Sequence, residues 1–340
     1  MIGDIEHNGM KTSAMGGVAH LLLCETPIAV VDLETTGFCP GGDRIIELAV
    51  VRVEPRQEPE LLLDTLVNPR RPVFATEIHG ITNGDVADAP TFEEVAGKLL
   101  EAISGCVFAS YNVYFDGKFV QAELTQVGFH RFPPQVCLMY LRPLLGLGSK
   151  CSLADACQQH AIHHSSPHCA STDALASARL WQFYIATGER AGIRTFGDLV
   201  KRRAYKFTDS FTQDPLDISL CAGLRSTAHF KARVFAASTL APIDRQVLVG
   251  EYWSALTSVF ADLEVTPNEL QYLLAKSALL NLTPDELRWL HARVFAGILA
   301  EASQDRAITS KEATVLHTVM TALRHLGWAP GDMPDVQSGN

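Results

Sequence analysis

Short apolar and β-branched runs alternate with longer amphipathic segments in the first half of the chain. The runs predict strands at Ile28–Glu34, Ile45–Val53, Leu61–Val67, Cys106–Ser110 and near Val136. The amphipathic segments predict a helix opened by a capping box at Thr91, and further helices over 115–128, 152–160 and 170–186. Successive strands followed by alternating helices and strands indicate an α/β domain with a mixed sheet.

From about residue 246 onward the pattern changes to continuous amphipathic helix, which predicts a separate all-α domain. Capping boxes mark predicted helix starts at Thr266, Thr283 and Thr309, and proline follows the first two threonines. The segment Asp262–Glu269 recurs as Asp305–Glu312, so the domain contains an internal repeat. The Asp and Glu of each copy stand too close together for an EF-hand loop, which argues against calcium binding.

Composition fits a soluble protein with two cores, because 47% of the 340 residues are hydrophobic. The longest apolar runs are too short to span a membrane, and the acidic start is unlike a signal peptide, so we expect a cytoplasmic location and no membrane partner. The eight cysteines lack paired C-x-x-C spacing, which indicates reduced thiols. The histidines between 160 and 168 are not interpreted as a separate metal site.

Carboxylates at three separate points in the chain suggest one metal site. Asp32 and Glu34 leave the first strand on the same side, and such a pair is unfavourable unless cations lie between the two charges. Asp116 falls at a strand-to-helix junction, and Asp173 lies in an Ala-rich helix over the same sheet. His168, on the preceding loop, could take a proton from a water molecule.

These segments resemble the motifs of the DnaQ-like family of DEDDh exonucleases, which includes the proofreading subunit of bacterial DNA polymerase III. The first motif matches Asp32–Gly37, the second appears as Tyr111–Asp116, and the third as His168–Asp173. The segment Ile78–Thr82 is also similar to the family sequence between the first two motifs. The resemblance covers roughly residues 26 to 187, a usual size for one domain. It implies a ribonuclease-H-like fold and 3′→5′ exonuclease activity.

The resemblance also implies roles for individual residues. Asp32, Glu34, Asp116 and Asp173 would hold two Mg²⁺ or Mn²⁺ ions, and His168 would be the general base for release of a nucleoside 5′-monophosphate. The residues implied to contact the terminal nucleotide are Thr35, Thr36, Gly37, His79, Asn112 and Phe115. Alternatively, the threonines only shape a turn and the histidine only caps or packs.

Two departures from the family pattern leave the choice between DNA and RNA open. Tyr111 stands where the second motif usually has histidine, and Cys137 stands where many relatives have aspartate. We expect action on single-stranded DNA 3′ ends. The alternatives are an exoribonuclease similar to RNase T or oligoribonuclease, and an interaction protein that binds nucleic-acid ends with little turnover.

The net charge of −10 means that nucleic acid would have to bind through local basic patches and bound metals. One candidate patch could follow a single strand and stack its bases, and it comprises Arg190, Arg194, Lys201, Arg202, Arg203 and Lys206 with Tyr205, Phe207 and Phe211. The alternative is a solvated face of a connecting helix over 195–205.

The domain organisation follows from these patterns. We expect a flexible leader at 1–25, the exonuclease domain at 26–188, a basic and aromatic connector at 189–245, a helical domain at 246–330 and a tail at 331–340. The helical domain resembles the TerB-like tellurite-resistance domain, which implies two helix pairs about a pseudo-twofold axis. We expect it to dock a protein partner, and its deletion to leave the chemistry on short substrates intact.

Overall fold

The computed structural model describes residues 16–165, 168–217, 219, 231, 245–303 and 308–331. Within these residues a five-stranded mixed sheet has the order β3-β2-β1-β4-β5, in which β1, β2 and β3 pair antiparallel and β4 and β5 run parallel to β1. Its strands are β1 Ile28–Thr35, β2 Ile45–Val53, β3 Glu60–Leu66, β4 Val107–Ser110 and β5 Gln135–Cys137. The predicted mixed-sheet α/β fold is confirmed.

Four consecutive residues of β1, Ile28–Val31, are all buried. Because successive side chains of a strand point to opposite faces, both faces of the sheet are covered at this strand. The helices of this domain are α1 Thr76–His79, α2 Asn83–Val86, α3 Phe92–Ile103, α4 Val113–Gln126, α5 Leu138–Leu144, α6 Leu153–Gln159, α7 Ala170–Arg190 and α8 Phe196–Arg202. Short 3-10 helices lie at Leu23–Glu25 and Lys206–Thr212. The capping box at Thr91 forms as predicted, and α7 packs across β1, β2 and β3.

The described part of the N-terminal segment packs on the α/β domain, so the expectation of a flexible leader is wrong for residues 16–25. Val18 is fully buried, and the backbone N–H of Gly17 donates to Asp214 Oδ1 at 2.8 Å. Leu22 forms an antiparallel bridge with Thr195. The start of the chain and the connector therefore cover each other. Residues 1–15 of the expected leader lie outside the described residues.

The connector supplies core side chains and not a base-stacking surface. Phe207 and Phe211 are buried, and the Phe211 ring meets that of Phe196 edge-on with centroids 5.2 Å apart. These rings cannot stack on nucleic acid, which corrects the aromatic part of the candidate patch. Tyr205 stays half-buried, with the Arg203 guanidinium 4.9 Å from its ring centroid. Most of the segment from 218 to 244 lies outside the described residues.

The C-terminal region is helical, with α9 Arg245–Phe260, α10 Pro267–Leu279, α11 Pro284–Ala302 and α12 Ser310–His325. The predicted capping boxes form, since Thr266, Thr283 and Thr309 each accept a hydrogen bond from the backbone N–H of the glutamate three residues later. These helices share a core of their own. Asp305 of the second repeat lies outside the described residues, and no described helix is long and apolar enough to cross a bilayer.

Buried ion pairs fix the helical domain on the α/β domain. Lys276 Nζ lies 2.6 Å from Asp155 Oδ1 of the α/β domain and 3.3 Å from Glu251 Oε2 of its own domain. Lys150 Nζ, from the α/β domain, lies 3.0 Å from Asp262 Oδ2 on the helical side. Both lysines are almost fully buried. Separation of the domains would remove the partners of Lys150 and the Lys276 contact of Asp155, so these pairs hold the two domains together.

Candidate active site

The predicted site residues converge on one cleft, at the end of β1. Antiparallel pairing places Asp32 opposite Ala49 and Glu34 opposite Glu47, and a bulge follows between Glu34 and Thr35. The predicted residues that line the cleft are Asp32, Glu34, Thr35, Gly37, His79, Asn112, Phe115, Asp116, His168 and Asp173. The structure thus assembles β1, α4 and α7 around one space.

Thr36 is the predicted residue that the cleft lining leaves out, and it holds the turn after β1. Its hydroxyl donates to Asp43 Oδ1 at 3.0 Å and accepts from the backbone N–H of Arg44 at 3.1 Å. Gly37 serves the same turn, because a Cβ there would lie 2.4 Å from Asp43 Oδ2. The alternative interpretation, in which Thr36 only shapes the turn, therefore fits Thr36. The close approach of Asp43 alone explains why position 37 is a glycine.

The carboxylates of the cleft carry an unfavourable concentration of negative charge. Burial, followed by the charges of Asp173, Asp116 and Glu34, raises the pKa of Asp32 well above its ordinary value. Burial raises the pKa of Asp116 to about 7, and the charge of Asp173 acts in the same direction. Such a site is stabilised when it binds either protons or metal cations. Carboxylate oxygens are the donors that Mg²⁺ and Mn²⁺ prefer.

The start of α7 holds Asp173 and His168 together. Glu47 Oε2 accepts a hydrogen bond from the backbone N–H of Ala170, the first residue of the helix, at 3.1 Å. Asp173 Oδ2 accepts from the backbone N–H of His168 at 3.2 Å, and Asp173 Oδ1 lies 2.6 Å from His164 Nε2. His168 has a positive φ of 65°, a conformation that costs free energy and needs such support. Glu47 and His164 were not predicted as site residues.

The carboxylates of the cleft do not converge on one common point. Among the described residues no three His, Cys, Asp or Glu side chains form a ready set of metal ligands. His164 Nε2 lies 2.6 Å from one oxygen of Asp173. The donor chemistry fits hard divalent cations, and a bound ion would compete with His164 for Asp173.

His79 and Tyr111 have structural partners on their polar atoms. His79 is buried, its Nδ1 accepts from the backbone N–H of Ile81 at 3.0 Å, and its Nε2 lies 3.1 Å from the carbonyl oxygen of Phe74. The Tyr111 hydroxyl lies 2.8 Å from the carbonyl oxygen of Cys151. Both rings still line the cleft. Their polar groups therefore position α1 and the loop before α6.

The opposite wall of the cleft comes from the helical domain, which the sequence analysis did not foresee. It comprises Trp253, Ser254, Thr257 and Ser258 of α9 with Arg293 of α11. Phe38, from the loop after β1, meets the Trp253 ring edge-on with centroids 4.4 Å apart. A Cβ at Gly250 of α9 would lie 2.3 Å from His168 Nε2, so the helix backbone rests directly on the imidazole.

One signal in the sequence could have indicated this contact. Glycine is unfavourable inside a helix, and both Gly250 in α9 and Gly297 in α11 are helix-interior positions. Gly297 packs against Phe38, and a Cβ at position 297 would lie 2.4 Å from the Phe38 Cβ. Both glycines therefore mark points where a helix approaches the nuclease domain too closely for any side chain.

The mixed sheet and this acidic cleft are the features that a domain of the predicted exonuclease family would have. Residues 29–181 match the model of the RNase_T family, described as exonuclease. The matched segment runs from β1 into α7 and contains all four carboxylates of the cleft. This part of the chain is therefore an exonuclease domain of that family.

Two relatives show the same segment in larger proteins. The chain is 33% identical over 187 residues to a DNA polymerase III subunit epsilon-like protein of Rhodobacter capsulatus, which covers 52% of this chain and 27% of the relative. It is 33% identical over 150 residues to the 3′-5′ exonuclease DinG of Bacillus subtilis, which covers 43% of this chain and 16% of the relative. The chain thus spans about a quarter or less of the length of these relatives.

Two solved structures resemble the nuclease part. One is Exonuclease X in complex with 5′ overhanging duplex DNA, with 23% identity and a TM-score of 0.36 over 48% of this chain and 93% of that chain. The other is the nuclease domain of 3′hExo, a DEDDh family member, bound to rAMP, with 18% identity and a TM-score of 0.39 over 50% and 95% of the two chains.

Proposed function

We propose that this protein is a metal-dependent exonuclease that releases nucleoside 5′-monophosphates from the 3′ ends of single-stranded DNA. The observation that carries this proposal is the convergence of Asp32, Glu34, Asp116, Asp173 and His168 on one cleft. The membership of residues 29–181 in an exonuclease family and the name of the DinG relative, 3′-5′ exonuclease, support it.

Asp32, Glu34, Asp116 and Asp173 would hold two Mg²⁺ or Mn²⁺ ions. Bound there, the ions would lower the pKa of the attacking water and offset negative charge on the phosphate. His168 would accept the proton of that water, since the loop that carries it is pinned to Asp173 beside the carboxylates. Burial of the site strengthens each of these electrostatic interactions.

The terminal nucleotide would lie beside the loop after β1. Thr35, Gly37 and Phe115 line this part of the cleft, together with Asn112 and His79. The opposite wall is formed by α9 and α11, and we expect single-stranded ends to enter between the two walls. The Tyr111 hydroxyl is engaged by the carbonyl oxygens of Cys151 and Ser152, so we do not assign it to recognition of a 2′-hydroxyl.

A gel time course tests the proposal. Purified protein is incubated with Mg²⁺ or Mn²⁺ and with 5′-labelled single-stranded DNA and RNA of one sequence, and Asp32→Ala is run beside the wild type. We expect a ladder that shortens from the 3′ end of DNA and is absent with the variant. Faster shortening of RNA would change the substrate class. Bound but intact strands of both polymers would indicate a module that binds ends without turnover.

A further inference from the structure

A cationic side chain of the helical domain faces the acidic cleft. Arg293, on α11, lines the same space as Asp32 and Asp116. Its guanidinium carbon lies 5.1 Å from the ring centroid of Trp289 and 6.0 Å from that of Trp253. Within the part of the chain that the structure describes, Arg293 Nε is buried and has no hydrogen-bond partner. The guanidinium is thus positioned by two indoles and retains unused donor capacity.

The charge of Arg293 is poorly compensated in its surroundings. Burial lowers its pKa, and the charges of Glu77 and Asp43 act in the opposite direction. Asp43 is already engaged, since its Oδ1 accepts from Thr36 and its Oδ2 accepts from the backbone N–H of Cys39. Glu77 is exposed to solvent. A guanidinium keeps its proton under these conditions, so an anion that enters the cleft would be stabilised there.

The docking contacts keep Arg293 in the cleft. Gly250 and Gly297 bring α9 and α11 against His168 and Phe38 at distances that a side chain would not allow. The buried pairs of Lys150 and Lys276 hold the same interface from another side. Arg293 is consequently a fixed part of the cleft wall.

We propose that Arg293 binds a backbone phosphate of the strand in the cleft, so that the helical domain forms part of the substrate site. The proposal rests on the proposed exonuclease function. A guanidinium can donate two parallel hydrogen bonds to the non-bridging oxygens of one phosphate. The flanking indoles leave its Nε without a hydrogen-bond partner among the described residues. A nucleic-acid strand carries many phosphates. One of them can reach Arg293 while another is held by the metal ions that the opposite wall would bind.

Steady-state kinetics and binding with the full-length protein test this assignment. We expect Arg293→Gln to raise KM for a single-stranded oligonucleotide about 10- to 100-fold, as for loss of a charged hydrogen bond, with a smaller change in kcat. Binding of the labelled oligonucleotide is followed by anisotropy in an Asp116→Asn background at several salt concentrations. The slope of log Kd against log salt should fall by about 0.7, the value for one lost contact to single-stranded phosphate.

Two further variants separate a phosphate contact from a structural effect. Arg293→Lys should restore the salt slope because it restores the charge. Arg288→Gln is the matched control, because Arg288 lies on the same helix, is more exposed and pairs with Asp285. It should leave both KM and the slope unchanged.

Several results would overturn the assignment. One is an unchanged KM and an unchanged salt slope for Arg293→Gln. Another is a reduced salt slope that Arg293→Lys does not restore, which would make Arg293 a structural partner of Glu77 and Asp43. If Arg293→Gln does not fold, the wild type decides, since a strand bound at Arg293 must change the emission of the flanking Trp253 and Trp289. An unchanged emission on saturation with oligonucleotide would refute the contact. A wild type that neither binds nor shortens any strand would instead refute the proposed function.

Discussion

The two walls of the cleft have opposite electrostatic character. The nuclease wall presents four carboxylates, and burial and mutual repulsion raise the pKa of Asp32. The helical wall presents the Arg293 guanidinium, the Trp253 indole and hydroxyl groups. A phosphate with its divalent cations matches both walls at once, whereas either wall alone matches only one of these charges. The overall charge of −10 therefore says little about what this cleft can bind.

The largest expected effect comes from removal of a charge on the nuclease wall. Asp116→Asn should lower the exonuclease rate by at least about 10³-fold, because metal-ion stabilisation contributes several kcal/mol to such reactions. The measurement is the initial rate with Mg²⁺ on the single-stranded oligonucleotide. Asp64→Asn is the control, since burial also raises the pKa of Asp64 but its side chain lies outside the cleft lining. Activity of Asp116→Asn equal to that of the control would refute the assignment of the nuclease wall.

The next effect concerns the imidazole between the two walls. His168→Ala should lower kcat about 10²- to 10⁴-fold, the usual range for loss of a general base, and leave the Mg²⁺ dependence unchanged. The pH–rate profile should lose its acidic limb at the same time. His130→Ala, at an exposed position, should behave as the wild type. A profile that keeps its shape in His168→Ala would show that another group accepts the proton.

Ion pairs across the interface differ in burial, and this difference can be tested. Lys276→Met should destabilise the protein by about 1–3 kcal/mol, because Asp155 and Glu251 lose a buried cationic partner. Lys118→Met removes an exposed pair with Glu301 across the same interface and should cost only about 0–1 kcal/mol. Urea unfolding provides both values. Equal losses would mean that the buried pair contributes no more to docking than a surface pair.

Close contact between the walls should make added volume unfavourable. Gly250→Ala should cost about 1–3 kcal/mol, the range for overpacking, because the new methyl group collides with His168. Gly84→Ala is a matched change, since its Cβ would meet only Thr82 Oγ1 at 3.6 Å, and alanine favours the helix there. Thermal unfolding compares the two variants. A stable Gly250→Ala protein would indicate that α9 can withdraw from His168.

The last test concerns the pH dependence of the metal-free protein. The pKa of Asp116 is raised to about 7 in the folded state, so the folded state binds its proton more tightly than the unfolded state does. The stabilising effect of that proton is complete at low pH and is lost as pH rises toward 7. In EDTA, Tm should therefore fall between pH 5 and 8, and less so in Asp116→Asn. Parallel curves would contradict the raised pKa.

Local pattern was sufficient to predict the sheet and the convergence of the carboxylates. Alternation and β-branched runs define β1 and β2, and the strand end fixes the directions of Asp32 and Glu34. The capping boxes of the helical domain depend on residues three positions apart, so they too could be predicted from sequence.

Contacts between distant segments could not be predicted in the same way. The local pattern predicts that α9 is a helix, but not that Trp253 meets Phe38 of the nuclease domain. Phe207 and Phe211 stand among basic residues, and their burial depends on α8 and the N-terminal segment packing over them. Thr36 matches a motif, yet its hydroxyl is used within the turn. Composition and spacing do not contain this information.

The contact between Gly250 and His168 also bears on how the two domains could have diverged. A side chain gained at position 250 would collide with the imidazole, and a shift of the imidazole would open a void beneath α9. Substitutions on either side are therefore tolerated only together. A chimera that joins this nuclease domain to an unrelated helical partner would inherit the His168 loop without the surface that now holds it.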